Sequence, residues 1–432
     1  MDLLFILVSG IATGILIGLF PVFPIYLGAF LLYITSSIWS PEQMLLFWAV
    51  SSIGSQFFCS VSTITLGIPG DASSLVYVKD IKNLTLSQRN KLLWQTSRGS
   101  LISAFVALCL VWTLYNTYTS LGLKFLGGVE VRMLLLYTVV LFLVFTSEKK
   151  ILTLLVASIA ILIAPQNNYA LPVSWYNISI LLQHTTFFML ILAMVVIPDI
   201  ALYDTKFILN DKDKFNPEKT KLPWWIVIKN TILGCGISLV PGPSAELSAA
   251  IAYYTTKGKK TEKIIAAETA NNPGVIMMLL PFLLLGLPFT PSSIIVSNIM
   301  DVQVVNVIEL AKNPSTLINN LTVFDSLILL SLVTVVFYYI LSLRFINFYT
   351  ALVKLSHSKL KILLIAVIGL MIYLDISIQE ISIINYFSLM VMYLCLGFVM
   401  KRFKINPMPF IFVYLLGDVI IWTTIQFFLI HF

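Results

Sequence analysis

Long apolar stretches, several of them broken by proline and glycine, constrain this chain more than any other feature. They fall near residues 3–36, 44–78, 99–118, 131–146, 151–165, 178–199, 223–256, 264–300, 321–343, 362–376, 382–400 and 407–430. A helix needs about 20 apolar residues to cross a bilayer. The runs are continuous rather than alternating, which argues against a transmembrane β-barrel. Only 11% of the residues are charged, against about 25% in soluble domains. The fold class expected is therefore an all-α polytopic membrane protein. The N-terminus "MDLLFILVSGIATGILIGLF" has no basic leader and no small-residue cleavage site, so no signal peptide is expected. Cys59, Cys109, Cys235 and Cys395 show no metal or redox spacing and read as packing residues.

The two halves of the chain are related. "ATGILIGLFPVFP" (12–24) aligns with "ILGCGISLVPGPS" (232–244) at an offset of 220, pairing Gly14 with Gly234 and Pro21 with Pro241. The same offset pairs Gly54 with Gly274, and "LGIPGDASS" (66–74) matches "LGLPFTPSS" (285–293) at 219. Internal repeats with paired Gly/Pro interruptions are a signature of secondary transporters. The expected organisation is a first transmembrane repeat over 1–202, a mixed-charge cytoplasmic linker over 203–222, and a second repeat over 223–432.

Equivalent loops carry opposite charge. Residues 79–98 hold Lys79, Lys82, Arg89, Lys91 and Arg98, whereas 299–318 hold Lys312 alone; "KGKKTEK" (257–263) is basic, whereas "SIWSPEQ" (37–43) has no cation. Because Lys and Arg collect in cytoplasmic loops, the repeats are expected to be inverted. In that topology 3–36 and 223–256 are helical hairpins, 44–78 and 264–300 are broken helices, and the N-terminus lies outside. Of the 27 Lys and Arg residues, only Lys124, Arg132 and Lys312 then lie outside. The net charge of +7 needs no nucleic-acid partner.

Non-helical backbone survives at membrane depth only where protein covers it or it lines a cavity. A helix restarting after such a break offers free N–H groups and a positive dipole end, suited to carboxylates. The expected substrate site comprises Pro69, Gly70, Asp71, Ser73 and Ser74 at one break, and Pro288, Thr290 and Ser292 at the other. Pro21, and Pro241 with Gly242 and Ser244, supply the hairpin turns. Intramembrane carboxylates are costly and often functional. Asp71, Glu246 and Glu268 are accordingly candidates for cation coupling, with helix capping the competing reading for Asp71. Asp199, Asp325, Asp375, Glu380 and Asp418 are expected to face water. His184, His357 and His431 share no constellation.

The motifs "IPGDASS" (68–74), "LVPGPSAE" (239–246), "ETANNPG" (268–274) and "LLLGLPF" (283–289) resemble those of the large membrane subunit of the tripartite tricarboxylate transporters, the TctA-like permeases. The chain is a short and divergent member, reading "FPVFP" at the first hairpin, Ser244 at the second and Phe289 at a position where glycine is common. The resemblance implies cation-driven uptake of carboxylates with a small membrane subunit and a periplasmic substrate-binding protein, in a prokaryotic inner membrane. It also adds Asn271, Asn272 and Gly286 to the site and supports Pro69, Gly70, Asp71, Ser73, Pro241, Gly242, Glu268 and Pro288.

The function expected is a secondary active transporter, not an enzyme, that takes small organic anions such as di- or tricarboxylates by alternating access. The competing readings are an intramembrane enzyme, for which no nucleophile–base constellation is present, and an anion channel. No cofactor and no resident metal is expected beyond a coupling Na⁺ or H⁺. Membrane lipid surrounds the protein, and a homodimer is compatible with the sequence.

Overall fold

The computed structural model describes residues 3–19, 39, 41–67, 70–71, 73–121, 129–145, 147–164, 185, 189–190, 192–198, 220–238, 244–280, 323–342, 366, 368–370, 372–373, 375–377 and 381–431. Every regular element among them is helical. Three helices are long and apolar enough to cross a membrane, over Gln43–Thr65, Leu86–Thr117 and Ile383–Arg402. The chain divides into two compact units, one formed by 1–121, 204–286 and 302–363, the other by 122–203, 287–301 and 364–432. Each unit draws on both halves of the sequence.

In the first unit, α1 (Leu3–Leu19) packs along α2 (Pro41–Leu66). Gly10, Gly14 and Gly18 recur every four residues, so they line one face of α1. A Cβ on Gly10 would sit 2.8 Å from Val50 Cγ1, and one on Gly14 would sit 2.9 Å from Gly54 Cα; a Cβ on Gly18 would strike Phe58. Without a hydrophobic drive between helices in lipid, small residues of this kind let the backbones meet and gain dispersion contacts. Gly67, at φ 65°, ends α2 in the left-handed region, its N–H bonded to the Thr63 carbonyl at 2.9 Å. A 3-10 turn (Ser73–Val76) and a short helical turn (Val78–Ile81) follow, then α3 (Leu86–Leu121).

The second half contributes α6 (Trp224–Ile237), α7 (Ser244–Thr255) and α8 (Lys260–Met277), each packed on the other two. A Cβ on Gly234 would lie 2.5 Å from the Ala270 carbonyl oxygen, and one on Gly274 the same distance from Ala245 Cα. The paired glycines thus mark close crossings in both halves. Helix α8 continues through Asn271-Asn272-Pro273-Gly274 without a break, and the "LGLPFTPSS" stretch lies outside the described residues. Helix α9 (Val323–Ser342) places Phe337, which is fully buried, against Phe57 and Phe58 at 6.2 and 6.0 Å.

The second unit contains α4 (Val129–Phe145) and α5 (Lys150–Ile163), both packed on α11 (Met408–His431). Helix α10 (Ile383–Arg402) packs on a π-helical turn (Leu192–Val196), where a Cβ on Gly397 would lie 2.6 Å from Met194 Cα. Asp375 is not water-facing as expected. It is fully buried and accepts the Tyr386 hydroxyl at 2.8 Å, because a neighbouring phenol rather than solvent serves the carboxylate.

Candidate functional site

The break after α2 folds the chain back onto its own preceding turns. The Gly70 N–H donates to Thr63 Oγ1 at 2.9 Å, and the Thr63 hydroxyl donates to the Cys59 carbonyl at 3.0 Å. Gly70 is buried, and a Cβ there would overlap the Cys59 carbonyl oxygen. Its missing side chain therefore admits α2's own backbone.

Asp71 serves the turn it begins. Ser73 Oγ lies 2.8 Å from both carboxylate oxygens as donor, the Ser74 N–H donates to Oδ1 at 3.0 Å, and Ser74 Oγ donates to the Asp71 carbonyl at 2.8 Å. This is the capping geometry that aspartate favours at a helix start. Ser73 and Ser74, 3% and 0% exposed, are thus engaged with Asp71.

Three long-range contacts from the first half of the chain reach α8. Tyr77, 1% exposed, donates its hydroxyl to Glu268 Oε1. Asn271 Nδ2 donates to Gln56 Oε1 at 2.6 Å, and Asn272 Nδ2 donates to Ser100 Oγ at 2.8 Å. Gln56 meets Asn271 while Tyr77, beyond the end of α2, meets Glu268. Glu246, in the first turn of α7, lies within electrostatic range of Asp71, and so does Glu268.

The structure therefore gathers Gly70, Asp71, Ser73, Ser74, Glu246, Glu268, Asn271 and Asn272 in the first unit, with Ser244 opening α7. Pro21, Pro69, Pro241, Gly242, Gly286, Pro288, Thr290 and Ser292 lie outside the described residues. Sequence reasoning missed Tyr77, Gln56, Ser100 and Arg89. Arg89, 6% exposed, donates from Nη1 to the Thr65 carbonyl at 3.3 Å, setting a cation on the C-terminal end of α2. It stands among Gln88, Asn90 and Lys91 at the polar start of α3, so nothing in the local sequence set it apart.

At one end of this unit Asp80 binds Lys260 Nζ at 2.7 Å and accepts the Tyr253 hydroxyl. Asp80 and Lys260, one from each basic loop, therefore lie at one end of the unit. Gln95 Nε2 also donates to the Lys221 carbonyl at 2.7 Å there, and the Arg98 guanidinium stacks 4.2 Å from the Trp94 ring. Trp224 and Trp225 are exposed beside them, as aromatic residues are at a membrane interface. Glu268 stands eight residues along α8 from Lys260, about 12 Å along the helix axis, and Asn271 stands farther still.

Partial burial pushes the Asp80 carboxyl up, but the Lys260 ammonium, the Tyr253 hydroxyl and the charge of Lys263 outweigh it and hold the group below the usual carboxylate range. A carboxyl lowered on folding stabilises above its unfolded value of about 3.9 and loses that contribution as pH falls through the folded one. The Tm difference between wild type and Asp80→Asn is therefore expected in full at pH 7 and should close as pH falls below about 4. A double-mutant cycle with Lys260→Ala should give a coupling on the order of 0.5–1 kcal/mol. A coupling of zero would mean that the pair holds nothing together.

No curated protein and no solved structure matches the chain. A family model described as "Tripartite tricarboxylate transporter TctA family" matches residues 4–412, nearly its whole length. A buried polar cluster built from both halves of an apolar helical chain is the kind of site a membrane carrier needs, and the chain belongs to the tripartite tricarboxylate transporter TctA family.

Proposed function

We propose that the chain is the permease subunit of a cation-coupled carrier for di- or tricarboxylates, working by alternating access within a pair of inverted repeats. The observation that carries this reading is the meeting of Asp71, Tyr77 and Gln56 from the first half with Glu268 and Asn271 from the second. Buried polar groups are costly in lipid and are kept where they bind something. The Asp80–Lys260 ion pair, which joins the two basic loops, supports inversion. The buried Arg89 supplies positive character of the kind that an anion requires. The family name supports the assembly, a small membrane subunit beside this one and a binding protein that delivers the carboxylate outside; the Lys/Arg distribution supports an N-terminus on that side of a prokaryotic inner membrane.

The test is thermal unfolding of the purified protein across mono-, di- and tricarboxylates. Di- or tricarboxylates are expected to raise the Tm and monocarboxylates to leave it unchanged; a panel without any stabiliser would overturn the reading. Asp71→Asn keeps an acceptor for the Ser74 N–H but loses the charge. Uptake in that variant should fall by about tenfold or more while membrane insertion stays normal, and unchanged uptake would leave Asp71 a cap only.

A further inference from the structure

Helix α8 carries two buried acceptor oxygens that nothing among the described residues serves. Glu268 is 1% exposed and Asn271 is 2% exposed. Glu268 Oε1 takes the Tyr77 hydroxyl, and Oε2 has no partner. The Asn271 amide gives its N–H to Gln56 at 2.6 Å, which fixes the other end of the amide as an acceptor, and Oδ1 also has no partner. Three residues apart, the two side chains share one face of the helix. In the same turns Pro273 has no N–H to offer the Thr269 carbonyl, so a third oxygen lacks its ordinary helical donor. Asp71 adds further negative potential, and among the described residues no lysine, arginine or histidine is paired with Glu268.

Unserved acceptors at this depth are expensive. A proton on Glu268 would turn Oε2 into a donor but leave the Asn271 oxygen as it is. A cation serves several oxygens at once. A divalent ion is poorly matched, because among the described residues no three His, Cys, Asp or Glu side chains converge as metal ligands. One carboxylate with neutral oxygens balances a single positive charge. Resting on the cation-coupled reading above and going beyond it, we propose that Glu268 Oε2, Asn271 Oδ1 and the Thr269 carbonyl bind one sodium ion as co-transported cargo. Tyr77 is the positioning residue that fixes the carboxylate through its other oxygen.

The test uses the purified full chain without any carboxylate, comparing thermal unfolding in NaCl with choline chloride at constant ionic strength and fixed pH. Sodium is expected to stabilise the wild type saturably, by about 2–4 °C at ten times the half-saturating concentration. Glu268→Gln should raise that concentration at least tenfold, and Asn271→Ala at least threefold. If Glu268→Gln does not fold, the wild-type titration and Asn271→Ala carry the test. Equal Tm in both salts would overturn the site, as would a stabilisation that follows pH alone, or a Glu268→Gln titration identical to wild type. Carboxylate stabilisation that is indifferent to sodium would sink this site and leave the carrier reading intact. Sodium binding with no response to any carboxylate would do the reverse.

Discussion

Gly70→Ala is expected to yield little folded protein. The added Cβ would overlap the Cys59 carbonyl oxygen and lie 2.7 Å from the carbonyl carbon and from Cys59 Cα. These are backbone atoms inside a helix, so they cannot rotate aside as a side chain would. Relief requires the turn to lift from α2, which breaks the Gly70–Thr63 hydrogen bond and displaces Asp71 and Tyr77 together. Overpacking against fixed atoms costs about 3 kcal/mol or more. Size-exclusion of the detergent-solubilised variant should show aggregate or a Tm depressed by at least about 6 °C. A wild-type Tm would mean that this turn does not rest on α2.

Gly234→Val and Gly236→Val, only two positions apart, should behave in opposite ways. A Cβ on Gly234 meets the Ala270 oxygen at 2.5 Å and its Cα at 3.0 Å, while a Cβ on Gly236 meets nothing within 4 Å. The first variant forces α6 away from α8 along the seam where Ala252, Ala266 and Ala270 pack with Ile226 and Leu233. Its cost is expected at about 2–4 kcal/mol. The second adds an isopropyl group on an exposed face that lipid can accommodate, so its Tm should stay within about 1 °C of wild type. Equal effects from the two would show that α6 does not present its Gly234 face to α8.

Much of the fold was legible because glycine and proline leave their mark on sequence wherever the backbone is constrained. Gly14, Gly54, Gly234 and Gly274 each proved to stand at a close helix crossing. The site was legible only in its local half. Asp71, Ser73 and Ser74 are neighbours in sequence and form one turn, so capping could be read from their spacing. Tyr77, Gln56 and Ser100 show no such pattern; each is one polar residue among several in its stretch, and its importance comes from a partner 172 to 215 residues away. Gly70 was read as space for a ligand, yet the atoms nearest it belong to Cys59. Asp375 was assigned to water because it follows an apolar run, and Tyr386, from a helix still to come, takes the place of solvent.

The seating of Asp71 bears on what any arriving anion meets. At the start of the 3-10 turn the amide of Ser74 and the hydroxyl of Ser73 already hold a negative group supplied by the chain itself. A substrate carboxylate drawn to those donors competes with a tethered rival at very high local concentration, and it can win only if the aspartate swings away or gives up its charge. Arrival of one acid group at this spot is thereby tied to the departure of another.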